Sequence, residues 1–220
     1  MSAVIYILIG MVDVFAVFAL SLKLYRLPLK QYIFPILGFC LASSAISYFV
    51  RVVIGLPWLD LAILALFLIA FFRLAMKLKL FYAALVTGAG LNAYILVQLA
   101  VLIAFMAVDG SKQTFIFHSQ GVEVQLFQIT SIGITLVIAT FMKLFRYGFS
   151  FIPIPPHEFL IKNDYSKHLG LNIAVATTLI VVALSLVLLL NVNELLVFPS
   201  AIISFGLSYY FSNRRDLTID

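Results

Sequence analysis

Long apolar runs separated by short polar connections dominate the chain. Seven of these runs approach or reach the roughly 20 residues that a helix needs to cross the hydrocarbon core of a bilayer. They cover residues 3–22, 33–52, 58–75, 80–107, 124–142, 169–190 and 195–212. The pattern therefore predicts an all-α polytopic membrane protein with seven transmembrane helices, built as a single transmembrane domain over residues 1–220.

The narrowest separation lies between the second and third runs, where the chain reads Gly55, Leu56, Pro57. Proline suits the first turn of a helix, because the N–H that it lacks would have no partner there. Trp58 beside it suits the membrane interface. The sequence favours two helices joined by a tight turn, and a re-entrant pair is the alternative.

Composition agrees with a lipid environment. Hydrophobic residues make up 64% of the 220 residues and charged residues 10%, against about 25% charged in soluble domains. The net charge of +5 does not indicate nucleic acid as a partner, because the basic residues lie between apolar runs. Cys40 is the single cysteine and excludes an internal disulfide. Residues 1–22 lack a basic start and a small-residue cleavage site, so we expect a retained helix.

The basic residues predict the orientation of the helices. Twelve of them fall in the odd-numbered connections and the tail: Lys23, Arg26, Lys30, Arg73, Lys77, Lys79, Lys143, Arg146, Lys162, Lys167, Arg214 and Arg215. The even-numbered connections hold Arg51 and Lys112. Because basic connections stay in the cytoplasm, we expect the N-terminus outside and the C-terminus in the cytoplasm of a multi-pass plasma-membrane protein.

Two connections are long enough to have structure of their own. The outer one, 108–124, alternates apolar and polar residues and predicts a short hairpin on the membrane. The inner one, 143–168, combines aromatic and basic residues with three prolines that forbid a regular helix. Its aromatic residues are expected either to lie on the membrane surface or to meet a partner protein.

One carboxylate interrupts the middle of the first run, "LIGMVDVFAVF". An acid at that depth costs about 2.5–3.5 kcal/mol on insertion scales, so we expect Asp13 to face the bundle interior and to have a partner. Counting depth from the helix ends makes Ser43, Ser44 and Asn92 the expected partners, whereas Arg51 lies too near a membrane face. Two interpretations stay open: a ligand or proton site, and a structural hydrogen bond between helices.

Further polar residues at helical spacing predict a pocket that opens outward. One stripe follows the second helix and another the fifth, and glutamine and asparagine occur in the fourth. The candidate ligand-binding residues are Asp13, Ser44, Ser47, Arg51, Asn92, Gln98 and Gln128. The glycines of "TGAGLN" (87–92) predict either a helix broken at a binding site or close helix packing, and packing is favoured.

The sequence carries no catalytic or metal-binding motif that would indicate an enzyme. The three histidines His118, His157 and His168 all lie in connections, and Cys40 has no histidine at its depth to activate it. No helix motif for zinc and no phosphate-binding glycine loop occurs. We therefore expect no enzymatic activity, no metal and no cofactor.

The predicted topology and two short elements resemble a known family. "KLYRLPLKQY" (23–32) and "SYFVRVVIGLP" (47–57) are similar to the membrane sensor region of Gram-positive peptide-pheromone histidine kinases of the accessory-gene-regulator type, and to related small polytopic proteins of spore-forming bacteria. The resemblance implies a receptor in the bacterial cell membrane that detects an extracellular peptide or lipid-like ligand. Because no kinase region follows the last helix, it would act through a separate signalling partner.

Two other functions stay open at this point. A small-solute or ion transporter could use the carboxylate of Asp13 near the midplane. An accessory subunit of a membrane complex needs no ligand. Besides the lipid bilayer, a separate signalling or transport protein is the expected partner, and the sequence leaves the oligomeric state open.

Overall fold

A computed structural model describes most of the chain, and all of its regular structure is helical within the described residues. These residues are 3–109, 122–152, 172, 175–176 and 197–217. The six α-helices are α1 Ala3–Leu24, α2 Ile33–Tyr48, α3 Pro57–Leu74, α4 Leu80–Asp109, α5 Val122–Leu144 and α6 Val197–Asp216. The all-α prediction is confirmed for this part of the chain.

In the part of the chain that the structure describes, four helical segments are long and apolar enough to cross a membrane. They are Ala3–Leu24, Lys30–Ile54, Leu80–Phe105 and Val124–Leu144. This result supports a membrane protein by length and composition. The predicted helix at 169–190 and the predicted hairpin within 108–124 lie outside the described residues, apart from a few positions.

One end of the bundle collects the basic residues, and we call it the basic end. The last turns of α1, α3, α5 and α6 contain Lys23, Arg73, Lys143, Arg214 and Arg215. Cations are favourable there because the C-terminus of a helix carries partial negative charge. The helices α1, α3, α5 and α6 therefore run toward the basic end, and α2 and α4 run away from it.

The centre of the bundle is formed by α1 and α4. The first packs against α2, α4 and α5, and the second also packs against α3 and α6. Phe18 of α1 is fully buried and meets three other rings edge to face: Phe39, Phe71 and Phe72, at centroid distances of 5.2, 4.9 and 5.5 Å. In lipid, packing of this kind replaces the hydrophobic effect as the main force between helices.

Small residues bring α1 close to its neighbours. A Cβ added at Gly90 of α4 would collide with Ser21 of α1, and one added at Gly10 of α1 would lie 2.6 Å from the hydroxyl oxygen of Ser44 of α2. α4 is continuous over its 30 residues, about 45 Å at 1.5 Å per residue. The alternative of a helix broken within 87–92 is therefore wrong, and the packing interpretation is confirmed.

The turn between α2 and α3 differs from a simple helix end. α2 continues into a π-helical segment, Phe49–Ile54, which closes on Gly55 in the left-handed conformation at φ +77°. The N–H of Leu56 donates to the carbonyl of Val50 at 3.0 Å, and Pro57 opens α3. The structure thus has the tight turn that the sequence favours, but with a wider helical coil before it.

Residues 148–152 form what we call the aromatic clasp at the basic end. Phe149, Phe151 and Ile152 are buried in the protein core. The N–H of Phe149 donates to the carbonyl of Leu24 at 2.8 Å, and its ring packs on Tyr25 at 5.7 Å. These three side chains therefore neither lie on lipid nor face a partner, contrary to both expectations for this part of the inner connection.

The clasp also joins the end of α6 to the end of α1. The N–H and the hydroxyl of Ser150 donate to Oδ1 of Asp216 at 2.7 and 2.9 Å. The hydroxyls of Tyr25 and Ser212 lie 3.3 Å apart, and the ring of Phe149 meets Tyr209 at 5.2 Å. Contacts between backbone, polar groups and rings thus close the basic end of the bundle.

Candidate functional site: the carboxylate cluster

The carboxylate of Asp13 has a partner on α4. The hydroxyl of Tyr94 donates a hydrogen bond to Oδ1 of Asp13. Tyr94 is buried, and Asp13 is half-buried. A neutral hydroxyl thus satisfies an acid in the middle of α1, which lowers the cost of placing that acid among apolar helices.

An ion pair lies nearer the end of the bundle that is opposite the basic end. Nε of Arg51 is 2.7 Å from Oδ2 of Asp60, with 34% of the arginine side chain and 16% of the aspartate side chain exposed. The contact lies outside hydrogen-bond geometry, so it is mainly an attraction of charges. Arg51 comes from the π-helical segment and Asp60 from the first turn of α3, where an acid also benefits from the helix dipole.

Three more polar side chains lie beside the ion pair or beside Tyr94. Tyr6 of α1 lies within hydrogen-bonding reach of Arg51, and its ring meets Tyr48 of α2 edge to face at 5.4 Å. Gln98, one turn beyond Tyr94 on α4, reaches the hydroxyl of that tyrosine. The charges of Arg51 and Asp60 both act on Asp13. We call these side chains the carboxylate cluster: Tyr6, Asp13, Tyr48, Arg51, Asp60, Tyr94 and Gln98.

The charges of the carboxylate cluster do not balance when both acids are ionised. Asp60 has a cation in contact and Asp13 does not, among the described residues. An added proton or a cationic group of a ligand would complete the balance at Asp13. The ring of Tyr94, whose hydroxyl contacts that carboxylate, is of a kind that attracts organic cations through its π face.

Two of the predicted site residues serve helix packing. The hydroxyl of Ser44 donates to the carbonyl of Ile7 at 2.6 Å, so it joins α2 to α1. The amide of Asn92 is fully buried and donates through Nδ2 to Oγ of Ser204 at 2.9 Å, so it joins α4 to α6. The expectation that Ser43, Ser44 or Asn92 holds Asp13 is therefore wrong. Ser44 bonds the backbone of α1, Asn92 bonds α6, and the buried hydroxyl of Ser43 has no hydrogen-bond partner within the described residues.

The structure brings Asp13, Arg51 and Gln98 together among the predicted residues. Ser47 is half-buried on α2, and Gln128 is half-buried on α5. Within the described residues, neither side chain has a hydrogen bond or an ion pair with the carboxylate cluster. The sequence analysis thus found two of the three charged residues of the cluster, Asp13 and Arg51, and missed Asp60, although it also lies inside a predicted run.

Sequence reasoning missed Tyr94 and Asp60. Depth counting considered partners at the level of Asp13 and gave no weight to the long reach of a tyrosine side chain. Asp60 lies shortly after a tight turn that also follows Arg51. Opposite charges on either side of a turn between antiparallel helices lie at the same membrane depth, and that signal was present in the sequence.

Comparisons with known proteins and a search for metal ligands both gave negative results. No family model, curated protein or solved structure matches the chain. Within the described residues, no three histidine, cysteine or acidic side chains come together in a way that could hold a metal ion. The carboxylate cluster is therefore the feature of the molecule that bears most directly on function.

Proposed function

We propose that this protein is a multi-pass receptor of the bacterial plasma membrane whose carboxylate cluster binds an extracellular ligand. The observation that carries the proposal is the convergence of charged and tyrosine side chains from α1, α3, α4 and the π-helical segment at the end opposite the basic end. Ionisable residues inside membrane helices are costly, and they mark functional sites by default.

The direction of the helices supports seven spans with the carboxylate cluster in the outer half. α5 and α6 both run toward the basic end. Two successive described helices that run in the same direction agree with the predicted helix at 169–190 between them. With the basic end in the cytoplasm, the N-terminus lies outside and the C-terminus inside.

A fusion experiment tests this orientation. A reporter that is active only in the cytoplasm should be active after Asp220 and inactive when inserted within 110–120. The insertion site lies between α4 and α5, both of which have an end there. Activity at both positions would overturn the arrangement of seven helices.

The signal would leave the membrane at the basic end. Movement of α1 relative to α4 at Asp13 and Tyr94 would change contacts at the aromatic clasp, because Tyr25 directly follows α1 and Tyr82 lies in α4. Tyr82 meets Phe151 of the clasp at 6.4 Å. A separate signalling protein in the cytoplasm would read the change.

A transporter of a small solute or ion is the second candidate, and the position of Asp13 favours it. A carboxylate in the middle of a membrane helix, hydrogen-bonded to a neutral tyrosine, resembles the acid of a proton relay. Such a site would exchange a proton or a cation between two faces of the membrane.

Reconstitution separates the two candidates. The protein is placed in liposomes with a pH-sensitive dye inside, and ion gradients of either sign are applied. If the protein is a receptor, liposomes with wild-type protein and liposomes with Asp13→Asn protein should give the same dye response, because a receptor transports neither protons nor ions. Flux in the wild type that is lost in Asp13→Asn would establish the transporter instead.

Ligand binding is then tested directly. An environment-sensitive fluorophore on Ser47→Cys, in a Cys40→Ser background, is exposed to peptide and lipid fractions of spent culture medium from the native host. The receptor predicts a saturable signal that Asp13→Asn abolishes and that Ser150→Ala, at the other end of the bundle, leaves intact. A signal that is equal in all variants would contradict the proposal.

A further inference from the structure

Two helices end at the basic end in the same way. Both α1 and α5 finish with lysine, leucine, an aromatic residue and arginine, as "KLYR" (23–26) and "KLFR" (143–146). The arginines adopt the left-handed conformation, at φ +49° for Arg26 and +54° for Arg146. Each arginine N–H donates to the carbonyl of its lysine, at 3.2 and 3.4 Å. The repeated sequence therefore gives a repeated C-terminal cap.

The two caps lie next to each other. α1 packs against α5, and the aromatic clasp that follows α5 is bound to the last turn of α1. Gly148, at φ +132°, lies so close that an added Cβ would be 2.5 Å from the carbonyl oxygen of Lys23. The lysines of the two caps are therefore held on the same side of the bundle.

The charges of lysines from two other elements reach Lys23 there. Lys23 is half-buried, and the charges of Lys143 of α5 and of Lys30, in the short helical turn before α2, both act on it. The C-terminal dipoles of α1 and α5 favour one cation each. These dipoles do not account for Lys30, the third lysine, whose charge also acts on Lys23.

Within the described residues, no carboxylate balances these lysines. Four of the acids that the structure describes, Asp13, Asp60, Asp109 and Glu123, lie in the middle of helices or toward the opposite end. Asp216 is at the basic end but accepts both hydrogen bonds from Ser150. Like charges repel one another, so an anion among these lysines would stabilise the group.

The surroundings of the lysines indicate the source of the anion. Large apolar side chains around the end of α5 are exposed: Phe141, Leu144, Phe145 and Tyr147. Exposed aromatic and aliphatic side chains beside basic residues are typical of a helix end at the lipid headgroups. The anion that is present at this depth is the phosphate of a lipid.

We propose that Lys23, Lys30 and Lys143 form a binding site for the phosphate headgroup of an anionic lipid between the ends of α1 and α5. This site lies at the end of the bundle opposite the carboxylate cluster and does not depend on a ligand there. A bound lipid would hold α1, α5 and the turn before α2 together through one anion.

The test compares two lipids and two matched variants. Purified full-length protein is titrated with phosphatidylglycerol or with phosphatidylcholine, and native mass spectrometry counts the bound lipids. Lys23→Gln/Lys143→Gln removes two charges from the site. Lys77→Gln/Arg214→Gln removes the same charge from two exposed residues at the same end.

The site predicts preferential retention of phosphatidylglycerol over phosphatidylcholine by the wild type. Each lysine near an anionic headgroup contributes roughly five-fold in affinity, so Lys23→Gln/Lys143→Gln should weaken binding roughly 30-fold while the control changes it less than two-fold. Because the variant removes repulsion between like charges, its melting temperature without anionic lipid should not fall. Lys30→Gln, at an exposed residue, provides a second variant with an expected loss of roughly five-fold.

Three results would overturn the proposal. Equal losses in the two double variants would show only the general attraction of a basic surface to anionic lipid. Equal retention of the two lipids by the wild type would show that the headgroup charge does not matter. Inorganic phosphate alone, added in detergent without phosphatidylglycerol, should not raise the melting temperature of the protein. A rise in melting temperature that is lost in Lys23→Gln/Lys143→Gln would instead assign the site to free phosphate.

Discussion

The two ends of the bundle are built on the same two helices but use different forces. At the basic end, α1 and α4 meet the aromatic clasp through buried rings and backbone hydrogen bonds, as between Phe149 and Leu24. In the middle of the same helices, Asp13 and Tyr94 meet through a charged group, and the partly exposed ion pair of Arg51 and Asp60 lies further toward the opposite end.

This difference separates the aromatic clasp, which stabilises the fold, from the carboxylate cluster, which contributes little to stability. Tight packing of apolar and small residues supplies most of the association energy of helices in lipid. Partly exposed ion pairs contribute about 0–1 kcal/mol, and an acid in the middle of a membrane helix costs free energy. We therefore expect changes at the clasp to unfold the protein and changes at the carboxylate cluster to alter its function.

The largest effect is expected at the clasp. Phe149→Ala removes a ring that is 5% exposed and should lower the free energy of unfolding by about 3–5 kcal/mol. Phe145→Ala, at a ring that is 66% exposed, is the matched control and should change it little. Denaturant unfolding in detergent measures both. Equal effects of the two substitutions would mean that the clasp does not hold the basic end.

A smaller loss is expected where α4 crosses α1. Gly90→Ala places a methyl group against Ser21, so the helices have to separate, and overpacking of this kind costs about 1–3 kcal/mol. Gly133→Ala on α5 points into open space and should stabilise the helix by about 0.5–1 kcal/mol. If both variants unfold alike, the close contact between α1 and α4 is not part of the folded protein.

The smallest effect on stability is expected at the ion pair. Arg51→Gln and Asp60→Asn should each change the free energy of unfolding by about 1 kcal/mol or less, because both side chains are partly exposed. The double variant measures their coupling. A coupling of several kcal/mol would make the pair a structural brace and would weaken the contrast between the two ends.

The helices could be predicted from the sequence because the bilayer fixes their length and composition. The end of α2 could not. The apolar run of α2 is equally compatible with an α-helical end and with a π-helical end. Only the π-helical segment that the structure shows places Arg51 opposite Asp60. The distinction depends on how the left-handed Gly55 closes the turn.

The partners of the candidate site could be predicted only in part. The depth of Asp13 follows from counting residues, and its need for a partner follows from the cost of a buried acid. The rotation of α4 about its axis turns Asn92 toward α6 and Tyr94 toward Asp13, and packing decides that rotation. The burial of Phe149 could not be predicted for a related reason. A segment of aromatic and basic residues can lie on the lipid surface or pack into the protein, and its composition does not distinguish the two.

The most direct test of the account measures stability and response on the same preparations of Asp13→Asn and Asp13→Leu. Asp13→Asn keeps a polar side chain beside Tyr94, and Asp13→Leu removes a buried acid. The account predicts that both variants unfold within about 1 kcal/mol of the wild type or are more stable. It also predicts that neither gives the fluorescence response to the active fraction of the medium. A folded Asp13→Leu protein with the full response would contradict the claim that the carboxylate cluster recognises the ligand.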